Sequence, residues 1–168
     1  THTGTGMARY NSYTISANTH GVLSTPPMNV PGSNYRVSFW IYRDASSSYN
    51  VTKYSDEGVS VWYGTSPTDT TACTYLGFVP RDIVFAPVVT AAGWYQYTYS
   101  FGTGSAGNGK YVIFKGKSQF GDNIFMDDVV VDVLPELPVF NLNPASLDFG
   151  PIMTGQTATL TFTISNTG

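Results

Sequence analysis

Side-chain character in this chain alternates with a period of two, and no stretch repeats its apolar residues at the 3.6-residue spacing of a helix. Successive side chains of a strand point to opposite faces, so such alternation marks strands with one face buried. Tyr35, Val37, Phe39 and Ile41 fall on one side of their run, against Arg36, Ser38, Trp40 and Tyr42. Val59, Val61 and Tyr63 oppose Ser60 and Trp62, and Tyr95, Tyr97, Tyr99 and Phe101 oppose Trp94, Gln96, Thr98 and Ser100. Lys110–Lys115 and Ile124–Val133 continue the pattern. Between the runs lie turn formers: Pro26-Pro27, Pro31-Gly32, Ser46–Ser48, Ser66-Pro67-Thr68, Ala92-Gly93 and Gly102–Gly109, the last a hairpin loop. β-Branched and aromatic residues suit the pleated, half-buried surface of a sheet. These features predict an all-β fold, an antiparallel sandwich.

Leu134-Pro-Glu-Leu-Pro138 breaks the pattern. Proline lacks the ladder donor and is kept out of central strands, so 134–138 is expected to be a stiff linker. Beyond it, Val139–Phe149 and Thr157–Ser165 have strand character around a Gly155 turn. Two strands make no independent core, so 139–168 is expected to be the start of a truncated second domain after a first spanning 1–133.

Charged residues are only 11 % of the 168, less than half the roughly 25 % usual for soluble domains. A surface wetted by hydroxyls and amides suits a secreted or cell-surface β protein. The net charge of −3 gives no basic footprint, which argues against nucleic acid as a partner. No apolar run approaches the ~18 residues of a membrane span, so no membrane insertion is expected. Thr1–Gly6 has no charged-then-apolar pattern, and the chain is expected to begin after any export signal. Cys73 is the lone cysteine, read as a small buried strand residue. Asn50-Val-Thr52 fits a glycosylation acceptor that a bacterial protein would leave unused.

The segments Arg9–Tyr13, Leu23–Pro27, Tyr35–Tyr42, Val59–Tyr63, Gly93–Tyr97 and Asn123–Val129, in that order, resemble the MAM-like jelly-roll modules of bacterial surface proteins, of the cleaved-adhesin and choice-of-anchor J types. The resemblance covers Ala8–Val133 and implies an antiparallel jelly-roll β-sandwich in a secreted multi-domain protein, often from the Bacteroidetes. This sequence departs from the family's pattern ahead of Arg9, where the usual first strand and its acidic loop are missing. Asn143–Gly150 and Leu160–Gly168 resemble the opening two strands of an immunoglobulin-like repeat, which implies a spacer.

Asp127-Asp128 lies within an apolar strand, so one carboxylate must face inward or sit at a strand end, where it needs hydrogen bonds or a cation. Modules of the resembled kind often set a structural calcium against such an aspartate. Calcium takes about 6–8 oxygens, many from carbonyls, and Asp56 could supply another carboxylate. Without metal, the same aspartates would accept amide hydrogens from loops. Trp40 and Trp62 lie opposite the apolar sides of their strands and could line an aromatic surface for sugars, although aromatics also fill sandwich faces. Arg81-Asp82 reads as a loop ion pair of little weight. No Gly-x-Ser-x-Gly, His-Glu-x-x-His or phosphate loop is present. Asp127 and Asp128 are expected on opposite faces, unable to flank one glycosidic bond. The expected function is therefore non-enzymatic: an adhesion or accessory module with a protein or glycan ligand. The alternative is a carbohydrate-binding module that targets a secreted enzyme to polysaccharide. The tail could mediate self-association through its unpaired strand edges.

Overall fold

A computed structural model of the chain describes residues 1–45, 54–135 and 138–166. The Asn50–Thr52 acceptor, Ser46–Ser48 and two residues of the Pro-rich linker lie outside the described residues. The chain divides into two units, Thr1–Leu134 and Pro135–Gly168.

Nine strands make the first unit: β1 (Ala8–Tyr10), β2 (His20–Ser24), β3 (Met28–Val30), β4 (Tyr35–Arg43), β5 (Gly58–Gly64), β6 (Thr74–Pro80), β7 (Gly93–Ser100), β8 (Gly107–Lys117) and β9 (Ile124–Val133). One sheet has the order β1-β9-β4-β7; the other has β2-β8-β5-β6, with β3 also on β8. All ladders between these strands are antiparallel. The connections β1–β2, β3–β4, β4–β5, β6–β7, β7–β8 and β8–β9 each pass from one sheet to the other, and this alternation is the winding of a jelly roll. No α-helix is present among the described residues.

The alternation sets the core. Val37, Phe39 and Ile41 of β4 face Val59, Val61 and Tyr63 of β5 and Val112 and Phe114 of β8, all buried. Phe39 meets Phe114 edge-on across the layers, with ring centres 5.1 Å apart. Tyr63 stacks on Phe101 at 4.1 Å and donates its hydroxyl hydrogen to the Ser105 carbonyl (2.6 Å). Tyr10 closes the side by packing on Gly21 and Gly116. A Cβ at Gly21 would come within 2.5 Å of that ring, so only glycine admits it.

β9 breaks its own alternation. Ser38 pairs with Val130 and Trp40 with Asp127, so β9 spends one residue more than β4 between these points. The extra residue is a β-bulge, and Asp128 takes the left-handed conformation there (φ 49°). The bulge lets Met126 and Val131, five residues apart, both pair with inward residues of β4, Ile41 and Val37.

In the second unit β10 (Phe140–Asn143) pairs antiparallel with β11 (Thr163–Asn166). Both strands are shorter than the apolar pattern predicts. Gly155, at φ 84°, provides the expected turn. Leu142 pairs with Ile164, and Phe140 shares their side of the ribbon. Asn141, Asn143, Thr163 and Ser165 occupy the other side.

Candidate functional site

The outer face of the β1-β9-β4-β7 sheet carries the aromatic residues that β4 and β7 turn away from the core. Register sets Trp40 beside Gln96 on one flank and Asp127 on the other, and Tyr42 beside Trp94. Tyr42 and Trp94 meet edge-on at 5.6 Å. The segment ahead of β1 crosses this face. The His2 ring stacks on Trp40 at 3.7 Å, 16° from parallel, and presents an edge to Trp94 at 6.0 Å. The His2 amide donates to Asp127 Oδ2 (2.9 Å), its ring Nδ1–H to Asp128 Oδ2 (2.7 Å), and the Thr3 hydroxyl to Asp128 Oδ1 (2.5 Å). These bonds from His2 and Thr3 hold the Asp128 carboxyl below the usual carboxylate range.

This placement corrects two expectations. Asp127 and Asp128 do not diverge to opposite faces; the bulge brings both carboxylates to one segment. Trp40 and Trp62 do not share a surface, because β4 and β5 belong to different sheets. On the outside of the second sheet, Trp62 meets Tyr75 edge-on at 4.9 Å and donates its indole hydrogen to Ser60 Oγ (3.0 Å). Trp94, which the sequence reading left out of the site, is the tryptophan that accompanies Trp40. Its outward parity on β7 was the available signal.

The three carboxylates considered for calcium do not form a cage. Asp127 Oδ1 accepts the Asp128 amide (2.9 Å), and the other oxygens of the pair are engaged by His2 and Thr3. Asp56, which precedes β5 in the other sheet, is bound by Lys117 and by Gln119 Nε2 (2.7 Å). Its carboxyl is lowered: burial works against the shift, and the Lys117 and Gln119 bonds outweigh it. Among the described residues no group of three or more His, Cys, Asp or Glu side chains is placed to hold a metal ion. The residues do not fit the calcium that the family resemblance implies.

A second polar cluster fastens the loops at one end of the sandwich. Glu57, immediately ahead of β5, is fully buried. Its Oε1 accepts from Ser12 Oγ and from the amides of Gln119 (3.1 Å) and Gly121 (3.0 Å), and its Oε2 accepts from Arg81 Nε (2.9 Å). Arg81, 1 % exposed, also binds Asp44. Burial raises the Asp44 carboxyl to about 6 despite the attraction of Arg81, and Asp122 and Asp82 add to the rise. Arg43 is 0 % exposed and uses all five N–H donors. They go to the carbonyls of Arg81 (3.3 Å), Asp82 (2.5 Å), Phe85 (3.0 Å) and Pro87 (3.0 Å) and to the Tyr97 hydroxyl (2.5 Å). Arg81 is thus no marginal loop pair with Asp82 but the centre of a buried network. Cys73 likewise is half-exposed ahead of β6, with its thiol on the Asp69 carbonyl (3.2 Å), rather than buried in a strand. An apolar cleft of about 350 Å³ opens between β1 and β2, lined by Tyr10, Val22, Leu23, Phe114 and Met126.

No family model matches the chain, and no curated protein matches it. Among solved structures, the K2 cleaved adhesin domain of Lys-gingipain is similar over 76 % of this chain and 72 % of that one, with 16 % identity and a TM-score of 0.50. That likeness shows the β-sandwich fold. The K3 cleaved adhesin domain of Lys-gingipain from Porphyromonas gingivalis w83 is 27 % identical, covering 74 % of this chain and 73 % of that chain at a TM-score of 0.47. A structure described in terms of the promiscuous specificity of β-sandwich carbohydrate-binding modules is 9 % identical, covering 75 % and 53 % at 0.44.

Proposed function

We propose that Thr1–Leu134 is a non-catalytic binding module of adhesin type, serving a larger secreted or cell-surface bacterial protein. Its ligand meets the outer face that carries Trp40 and Trp94. One observation carries this reading: two outward indoles stand beside two carboxylates that have no lysine or arginine partner among the described residues, on a sheet face that the core does not need. The MAM-like segment order and the fold shared with a cleaved adhesin domain support it. Catalysis draws no support, because Asp127 and Asp128 are engaged by His2 and Thr3 and no nucleophile–base pair accompanies them.

A carbohydrate ligand is the second reading. A planar ring lies on Trp40 while a ring atom reaches Asp128, and a pyranose could set its C–H face and one hydroxyl the same way. The test is adhesion of beads bearing the full chain to surfaces coated with extracellular proteins or with polysaccharides. Trp40→Ala and Trp94→Ala should each weaken binding at least about tenfold, as truncating a central aromatic anchor does. Undiminished adhesion in both variants would overturn the assignment of this face. The apolar side of β10–β11 supports a further part of the reading, self-association through the second unit.

A further inference from the structure

Residues 1–3 sit on this face as a ligand sits on a receptor. Four carboxylate oxygens converge, and one, Asp127 Oδ1, is filled by the Asp128 amide. The other three accept a main-chain N–H, a ring N–H and a hydroxyl from the crossing segment. Towards this segment the receptor side presents acceptors and an indole, and the segment is the donor in all three of these contacts. Arg36 on the same sheet is committed to Asp132 (2.8 Å).

The complement is chemically narrow. A sugar hydroxyl array commonly engages donors as well as acceptors, whereas a peptide offers a main-chain N–H in fixed relation to its side chains. Two carboxylates beside an indole favour a flat nitrogen cation or N–H ring, which gains from both charge and the π face. A hydroxyl one residue later completes the set.

We propose that this face recognises a short extended peptide carrying histidine or arginine followed by threonine or serine, and that Thr1–Thr3 is its occupant in cis. A partner's segment binds by displacing it. The proposal rests on the reading of this face as the ligand surface. A segment tethered by a few residues to β1 competes at an effective concentration in the millimolar range, so an external peptide binds the intact chain at least about tenfold more weakly than the freed site.

The experiment uses the full chain labelled with 15N and its H2A/T3V double variant, with acetyl-Thr-His-Thr-Gly-amide as probe. The substitutions should shift the indole N–H signals of Trp40 and Trp94 and leave that of Trp62 in place, while the remaining amide dispersion confirms folding. The probe should bind the double variant about tenfold more tightly than the parent chain. Converting Asp127 and Asp128 to asparagine in that variant should remove the binding. Unmoved indole signals in H2A/T3V would refute cis occupancy. If the probe fails at millimolar concentration and cellohexaose perturbs the same indoles, the ligand is a glycan and the peptide assignment is wrong. If neither probe acts, the segment is a structural cover and the proposal falls. Adhesion that still depends on Trp40 while the peptide fails sinks this proposal alone; adhesion indifferent to Trp40 sinks the surface reading as well.

Discussion

Arg43 follows Val37, Phe39 and Ile41 on the inward parity of β4, and it is buried as they are. A guanidinium there is tolerated because a fixed fork meets four carbonyls and a phenol. Lysine has three donors in a different geometry, so Arg43→Lys leaves carbonyls unpaired and should cost about 3 kcal/mol, read as a lowered urea midpoint. Asp44 sets a pH dependence. Its folded value, about 6, lies above the unfolded value near 3.8, so the folded state holds the proton more tightly. This group therefore favours folding most at low pH and loses that contribution as pH rises from about 4 through 6, by about 1–3 kcal/mol. Asp44→Asn should flatten the stability profile between pH 4 and 6.5, measured by urea unfolding. Arg43 was legible in the sequence by parity alone. The Glu57–Arg81 pair was not, since 24 residues separate the two and only the meeting of β5 with β6 joins them.

At the scale of elements, β4, β5 and β7 were legible because each alternates without interruption and keeps one unbroken ladder, β4 with β7 and β5 with β8. β9 was legible as a strand but not as a bulged one. Asp127-Asp128 signals a conflict between polarity and burial, and sequence does not say whether a metal, a loop or an extra residue resolves it. The bulge resolves it, and with it goes the assumption that neighbouring carboxylates diverge. β1 has three residues and no periodicity to show; its partner β9 makes it a strand. In the second unit Phe140, Leu142 and Ile164 share one side of a two-stranded ribbon, and a ribbon alone is marginal in water. Deleting residues after Pro138 should leave the jelly roll folded by circular dichroism and more monomeric by light scattering. Unfolding of the truncated chain would place the second unit in the first unit's core.

For the first unit as a whole, the winding brings together the sheet-to-sheet connections after β1, β4, β6 and β8, where Glu57, Arg81 and Arg43 bind three of them to one another and Ser12 adds the fourth. Stability there comes from internal ions and amides, and among the described residues no group of three or more His, Cys, Asp or Glu side chains is placed to hold a cation. A ligand that binds only the native state raises the melting temperature, so excess chelator should leave the melting curve unchanged. A fall would restore a calcium site. One further consequence concerns load. β1 and β9 are antiparallel neighbours, with Ala8 opposite Met126 and Tyr10 opposite Ile124. The chain enters β1 and leaves β9 at the same end of their ladder, so a pull between the two ends of this unit opens it one bond at a time, like a zipper, instead of shearing it. The strap that carries His2 lies outside β1 and takes the tension first. Stretching the module should peel the imidazole from Trp40 at forces too small to unfold the sandwich, and so uncover the face proposed above for the ligand.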